Sequence, residues 1–144
     1  MNIVRMESRH LDEVVQLGMA EEELHTRSDT PEFYSKATLE RWIKSPNGFL
    51  FAAETDDRDF AGFVLASYNP DCRDAYVHCV ATTTEFRKQG VGSLLLDATL
   101  KELRQTGCNF VRCLIALDND PSVKLFEKHG FKLGDKFHYV SRNI

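Results

Sequence analysis

Three apolar runs separated by polar turns occupy the middle of the chain and constrain everything around them. Gly48-Phe49-Leu50-Phe51-Ala52-Ala53-Glu54 and Phe60-Ala61-Gly62-Phe63-Val64-Leu65-Ala66-Ser67 flank the turn Thr55-Asp56-Asp57-Arg58-Asp59, the pattern of a β-hairpin. A third run, Ala75 to Ala81, follows Asn69-Pro70-Asp71, so the three predict an antiparallel meander. After Gly90 the period changes. Val91, Leu94, Leu95 and Ala98 share one helical stripe that Leu96, Leu100 and Leu103 widen, while Asp97, Lys101, Arg104 and Gln105 stay on the outer face. Gly107 stands at the expected C′ position of that helix.

The flanking segments complete the frame. Asn2 to Glu7 reads as a strand, and Ser8 precedes Leu11, Val14, Val15 and Gly18, a spacing suited to an amphipathic helix. Glu21 to Pro31 is polar and predicts a loop, and a second helix is expected from Thr38 to Lys44, ended by Ser45-Pro46-Asn47-Gly48. Phe110 to Leu117 reads as a buried strand. Asp120 as N-cap, Pro121 at N1 and Gly130 past the last turn bracket a short helix through His129. Phe131 to Asn143 is expected to supply one or two further strands. The fold class that results is α/β (α+β), a mixed, mostly antiparallel sheet with helices on both faces.

No repeat or linker divides the chain, and 144 residues suit a single domain spanning 1–144. A chain of that size buries enough surface to need neither a metal nor a disulfide staple. With 18 basic against 22 acidic residues the net charge is −4, which argues against general binding to nucleic acid or to an anionic membrane surface. The N-terminus lacks an apolar signal region, and Phe60 to Ala66 is far shorter than the ~20 residues needed to cross a bilayer, so a cytoplasmic protein is expected. Cys72, Cys79, Cys108 and Cys113 have no zinc-ligand spacing and predict free thiols, three of them within apolar, strand-like stretches. No metal site is expected.

The segment that carries chemistry is Val80 to Ser93, a strand running through a polar loop into a helix N-terminus. Gly90 and Gly92 let backbone approach a ligand, and the first-turn N–H groups of the helix have no intrahelical acceptor, which makes an anion site. Arg87 and Lys88 add positive charge, so a phosphate or pyrophosphate is the natural guest. A dinucleotide fingerprint is excluded because Leu95 stands where its last glycine belongs, and a P-loop is excluded because no Gly-Lys-Ser/Thr follows.

Arg87-x-x-Gly90-x-Gly92 resembles the R/Q-x-x-G-x-G/A signature of the GNAT superfamily, the Gcn5-related N-acetyltransferases. Asn119-x-x-Ser122-x-x-Leu125-Phe126-Glu127-Lys128-x-Gly130-Phe131 is similar to the family's second signature, N-x-x-A-x-x-L-Y-E-K-x-G-F, at the expected separation. The strong resemblance covers Tyr76 to Phe131. It implies an acetyl-coenzyme A-dependent N-acetyltransferase that moves an acetyl group to a primary amine by direct attack in a ternary complex. The partners implied are a coenzyme A thioester and an amine acceptor, in a monomer or homodimer. A non-catalytic acyl-coenzyme A-binding module and an enzyme acting on protein or peptide amino groups stand as alternatives.

Residue by residue, the resemblance implies that the amides of Lys88, Gln89, Gly90, Val91, Gly92 and Ser93 hold the pyrophosphate beside Arg87. Val80, Ala81 and Thr82 match positions whose backbone pairs with pantetheine, where an N–H also steadies the developing oxyanion. Asn119 matches a residue that bonds the pantetheine arm, although a turn or pre-cap residue would look the same. Phe126 replaces the family's tyrosine acid and has no proton to give. The thiolate then leaves unassisted, since a thiol pKa near ~8.5 makes it a tolerable leaving group, or Tyr139 supplies the proton from outside the motif. Tyr76 matches the family's strand glutamate, with His78 two residues on and on the same face of a regular strand, and these are the candidates for general base. The Glu21-Glu22-Glu23-Leu24-His25 stretch matches the wall of the acceptor groove, and Trp42 is expected in the core beside Leu39 and Ile43.

Overall fold

The computed structural model describes all 144 residues. Five strands form one sheet in the order β1-β2-β3-β4-β5: β1 (Asn2–Arg5), β2 (Gly48–Glu54), β3 (Phe60–Asn69), β4 (Asp74–Thr82) and β5 (Phe110–Arg112). The first four pair antiparallel, β2 to β4 as the predicted meander, and β5 joins β4 in parallel, as the long helical connection between them requires. Helix α1 (Leu11–Ala20) and α2 (Lys36–Lys44) cover one face, and α3 (Val91–Gln105) with α4 (Asp120–Lys128) covers the other.

Each face has its own core. Leu11 and Val14 of α1 and Leu39 of α2 pack on Leu50, Phe63 and Leu65, whereas Leu95, Leu96, Leu100 and Leu103 of α3 pack on Phe51, Val64, Ala75 and Val77. A two-sided sheet explains why β2 and β3 read as near-continuous apolar runs rather than as an alternation. Ser35 caps α2 by accepting from the Thr38 amide at 3.2 Å, so the helix begins at Lys36, two residues before the expected Thr38. A 3-10 turn at Ser8–His10 precedes α1. Beneath it His10 Nε2 meets buried Glu54 at 2.7 Å, and Arg9 reaches the same carboxylate.

Four expectations are corrected. β5 stops at Arg112 instead of running to Leu117, because its ladder with β4 ends at Tyr76↔Arg112 and the two strands then diverge. Leu114 and Leu117 are accordingly 72% and 80% exposed. Residues 131–143 form no strand: no sheet edge pairs with them, and the segment is held instead by Asn143, which accepts from Arg27 at 2.6 Å and donates to Asp29 at 3.2 Å. The N-cap of α4 is Asn119 rather than Asp120, since its Oδ1 accepts from the Ser122 amide at 3.3 Å, and the helix closes at Lys128. β1 ends at Arg5, where its pairing with β2 is exhausted.

All four cysteines are free, Cys72 on the surface and the other three partly covered. No helix is long and apolar enough to cross a membrane.

Candidate active site

A β-bulge prepares the site. Leu65 pairs with Cys79 and Ala66 with Val77, which leaves His78 as an extra residue in β4. Before the bulge Ala75 and Val77 face α3; after it Cys79 and Ala81 face α1 and α2, with Val80 turned toward α3. Beyond Tyr76, β4 has a ladder partner only on its β3 side. The opposite edge of Val77 to Thr82 therefore borders a cleft of about 580 Å³, closed by the start of α3, the N-terminal part of α4 and the segment after α1.

Most of the predicted residues meet there. His78, Val80, Ala81, Thr82, Arg87, Lys88, Gly90, Val91, Gly92, Ser93, Asn119 and Phe126 all line the cleft. Gln89 does not: its side chain turns back to donate to the Glu85 carbonyl at 2.9 Å. Tyr76 is not part of the wall either. Its ring lies behind that of His78, with centroids 4.9 Å apart, so the two do share one face of the strand. Tyr139 is 70% exposed and borders a separate loop cavity with residues 25–31, which removes it as a proton source for this cleft.

The anion-binding end follows from backbone conformation. Lys88 has φ 60° and Gly90 φ 81°, with Gln89 between them outside the left-handed region, an alternation that makes concave amide arrays. Gly90 is the N-cap of α3 and offers no side-chain cap, so the first-turn amides keep no side-chain partner and are free to bind an anion. A Cβ at Gly90 would meet nothing within 4 Å, so the glycine serves the left-handed conformation. Gly92 has a packing duty as well: a Cβ there would stand 3.2 Å from Leu125, so this glycine brings α4 close to α3. Arg87 also departs from expectation. Its guanidinium is ion-paired with Glu21 and its Nε donates to the Thr82 carbonyl at 3.4 Å, which leaves Lys88 as the cation of the loop without an ion-pair partner.

At the opposite end His78 Nε2 lies 2.8 Å from Ser67 Oγ on β3. Trp42 and Tyr34 face the same imidazole, with ring centroids at 5.2 Å and 6.2 Å. Burial in this aromatic setting holds the His78 pKa below the ordinary histidine value, so the ring is neutral near pH 7. Burial also raises the Tyr76 phenol and pushes the Cys113 thiol of the far wall up to about 11, so both stay protonated. Phe126 is buried and packs edge-on against Phe131 at 4.9 Å while bordering the cleft.

Sequence reasoning missed Ser67 as a partner of His78 and Cys113 as a wall. A polar residue ending the apolar run of β3 was the available signal for Ser67. Of the acidic stretch, Glu21 and Glu23 line the cleft with Leu24, while Glu22 and His25 border the loop cavity. Trp42 is half-buried against Tyr34 and His78 rather than sealed in the core. No group of three metal-ligating side chains converges anywhere in the chain.

A model of the acetyltransferase (GNAT) family matches residues 14–131. Mycothiol acetyltransferase of Corynebacterium aurimucosum is 28% identical over 123 residues, which cover 84% of this chain and 38% of that protein. N-alpha-acetyltransferase 60 of Danio rerio is 32% identical over 83 residues, 55% of this chain and 33% of that protein. The chain thus spans little more than a third of the length of these relatives. Among solved structures, AAC(6')-Iy in complex with a bisubstrate analogue, CoA-S-monomethyl-acetylneamine, superposes with a TM-score of 0.75 at 18% identity, covering 99% of this chain and 98% of that one. At that identity the likeness is one of fold.

Proposed function

The chain belongs to the acetyltransferase (GNAT) family, and from that premise we propose that it is an acyltransferase that moves acetyl from acetyl-coenzyme A to a primary amine by direct attack in a ternary complex. One observation carries the reading: the uncapped amides at the start of α3 open onto the same cleft as the unpaired edge of β4. An anionic group bound at the first leaves an amide-bearing arm lying along the second, where it completes a strand-like ladder.

The donor pyrophosphate is assigned to the amides of Lys88 to Ser93, with the Lys88 ammonium as the supporting charge. Gln89 contributes only its backbone. Val80, Ala81 and Thr82 supply the edge along which pantetheine runs, and the thioester carbonyl reaches backbone N–H groups of this stretch that take up charge as it becomes an oxyanion. Asn119 has already committed Oδ1 to the α4 cap, so its amide Nδ2 is the group available to the donor. Holding donor and amine in one cleft supplies much of the acceleration by orientation.

His78 is the general base in this reading. It lines the cleft and is neutral, and it takes the proton that an ammonium acceptor must lose before its lone pair attacks the thioester carbon. Tyr76 backs the imidazole and is too weakly acidic to act as phenolate. The C–N bond forms, the C–S bond breaks, the attacking nitrogen gives up its second proton to solvent as it becomes the amide, and the thiolate of coenzyme A leaves and takes a proton from solvent, because Phe126 has none to donate. Thiol release from acetyl-coenzyme A, measured against small amines, peptides and aminoglycosides in parallel, tests the whole reading. Release that depends on an amine is expected, and no release with any acceptor, together with no donor binding at ~1 mM, would overturn it.

A further inference from the structure

We infer that Ser67 is a positioning residue that fixes the tautomer of His78, accepting a hydrogen bond from Nε2–H and so leaving Nδ1 as the bare, proton-accepting nitrogen. The inference rests on the reading of His78 as general base. It starts from the ladder: Ser67 pairs in register with Tyr76, two residues before the bulge, and its Oγ reaches forward to His78 Nε2 at 2.8 Å. That is the single side-chain hydrogen bond of either residue, and Nδ1 has no protein partner.

A serine hydroxyl can donate or accept, and the two choices have opposite consequences. Were Oγ to donate, Nε2 would be the lone-pair nitrogen, already occupied, and Nδ1 would carry hydrogen and could not take a proton. With Nε2–H donating, the same contact survives when Nδ1 picks up its proton, and the bond strengthens because its donor becomes charged. Ser67 therefore serves both states of the ring, and it does so without bringing in a carboxylate.

The other groups facing the imidazole are the rings of Tyr34 before α2, Trp42 of α2 and Tyr76 of β4, none of them charged near neutral pH. The charged groups sharing the cleft are Glu21 and Glu23 after α1 and Arg87 and Lys88 of the loop, and Glu21 and Arg87 are paired with each other. Burial pushes His78 toward the neutral form, and Ser67 is the neighbour that supports the proton once it arrives.

The test reads the ring directly in the free protein. In ¹⁵N-labelled wild type the neutral His78 ring is expected to show a protonated Nε2 and an unprotonated Nδ1, with one tautomer dominant. Ser67→Ala is expected to mix the tautomers and lower the His78 titration midpoint by roughly half a pH unit, as loss of a hydrogen bond stronger in the charged state requires. The acidic limb of kcat/KM should move by the same amount, and Ser67→Thr, which keeps the hydroxyl, should restore both. An Nδ1–H tautomer in the wild type, or an unchanged titration in Ser67→Ala, overturns the assignment of Ser67. Full activity in His78→Ala overturns the base reading instead, and leaves the ring spectra as an independent measure of the serine.

Discussion

Glu21, the first residue after α1, is ion-paired with Arg87 of the loop before α3 across the mouth of the cleft. The most basic residue of the family signature is therefore neutralised by a carboxylate of the segment after α1, and it is also tied to the last residue of β4 through the Thr82 carbonyl. In the absence of a bound anion its charge is spent within the protein.

Two substitutions separate these charges. Lys88→Ala should weaken coenzyme A binding about three- to tenfold, the value of one charged contact at a partly open site. Glu21→Gln should do the reverse, tightening binding and steepening its salt dependence, because it frees the Arg87 guanidinium. Calorimetric titration with coenzyme A at several salt concentrations gives both numbers, and weaker binding by Glu21→Gln would show that the pair is needed to hold the loop.

Gly90 and Gly107 make a matched pair. Both have positive φ, 81° and 90°, and a Cβ at either meets no atom within 4 Å. Alanine at each should cost about 1 kcal/mol of stability through the backbone alone. Only Gly90→Ala should also raise the donor KM, since Gly107 lies at the far end of α3. Thermal unfolding combined with steady-state kinetics distinguishes the two effects.

Asn119 carries one structural duty and one proposed functional duty. Asn119→Ala removes the α4 cap and should cost about 1 kcal/mol. Asn119→Asp keeps the capping oxygen and should unfold near the wild-type temperature, yet raise the donor KM because the amide donor is gone. Equal KM values for wild type and Asn119→Asp would confine the residue to the cap.

The proposed base predicts a clear asymmetry between neighbours. His78→Ala should lower kcat/KM by about a hundredfold or more, in the range general-base removal costs. Tyr76→Phe should change it by no more than about threefold, because the ring is kept and only the phenol is lost.

Acid stability should depend on Glu54. Arg9 holds this buried carboxylate below the ordinary glutamate value, with His10 adding to the effect against the cost of burial. A group whose pKa is lower folded than unfolded stabilises above its unfolded value, near 4.5, and that stabilisation is lost as pH falls through the folded value. Urea midpoints should therefore drop steeply below pH ~4.5 in the wild type. Glu54→Gln should be less stable at pH 6 by about 1–3 kcal/mol and show a flatter acid limb.

The meander, α3 and the glycine-rich loop could be read from the chain because each is local: a hairpin turn, a 3.6-residue stripe, a helix start lacking a capping side chain. One wall of the cleft, Val80 to Ser93, could be read for the same reason. What the sequence left hidden depends on cross-strand register. The bulge between Val77 and Cys79 has no Gly or Pro to announce it, and without it the approach of Ser67 to His78 has no visible cause. The Glu21–Arg87 pair joins residues 66 positions apart, beyond the reach of any pattern along the chain. The tail failed in the other direction: Phe131 to Asn143 was expected to supply one or two strands, but a strand exists only against a partner edge.

The bulge also says something about which residue the sheet can do without. Ala75 and Val77 serve one core and Cys79 and Ala81 the other; a strand shortened by His78 alone would present every remaining side chain to the layer it already serves. His78 is supernumerary to the architecture. The ladder and the two cores do without it, and what its ring meets instead is the aromatic set of Tyr34, Trp42 and Tyr76 beside the cleft it borders.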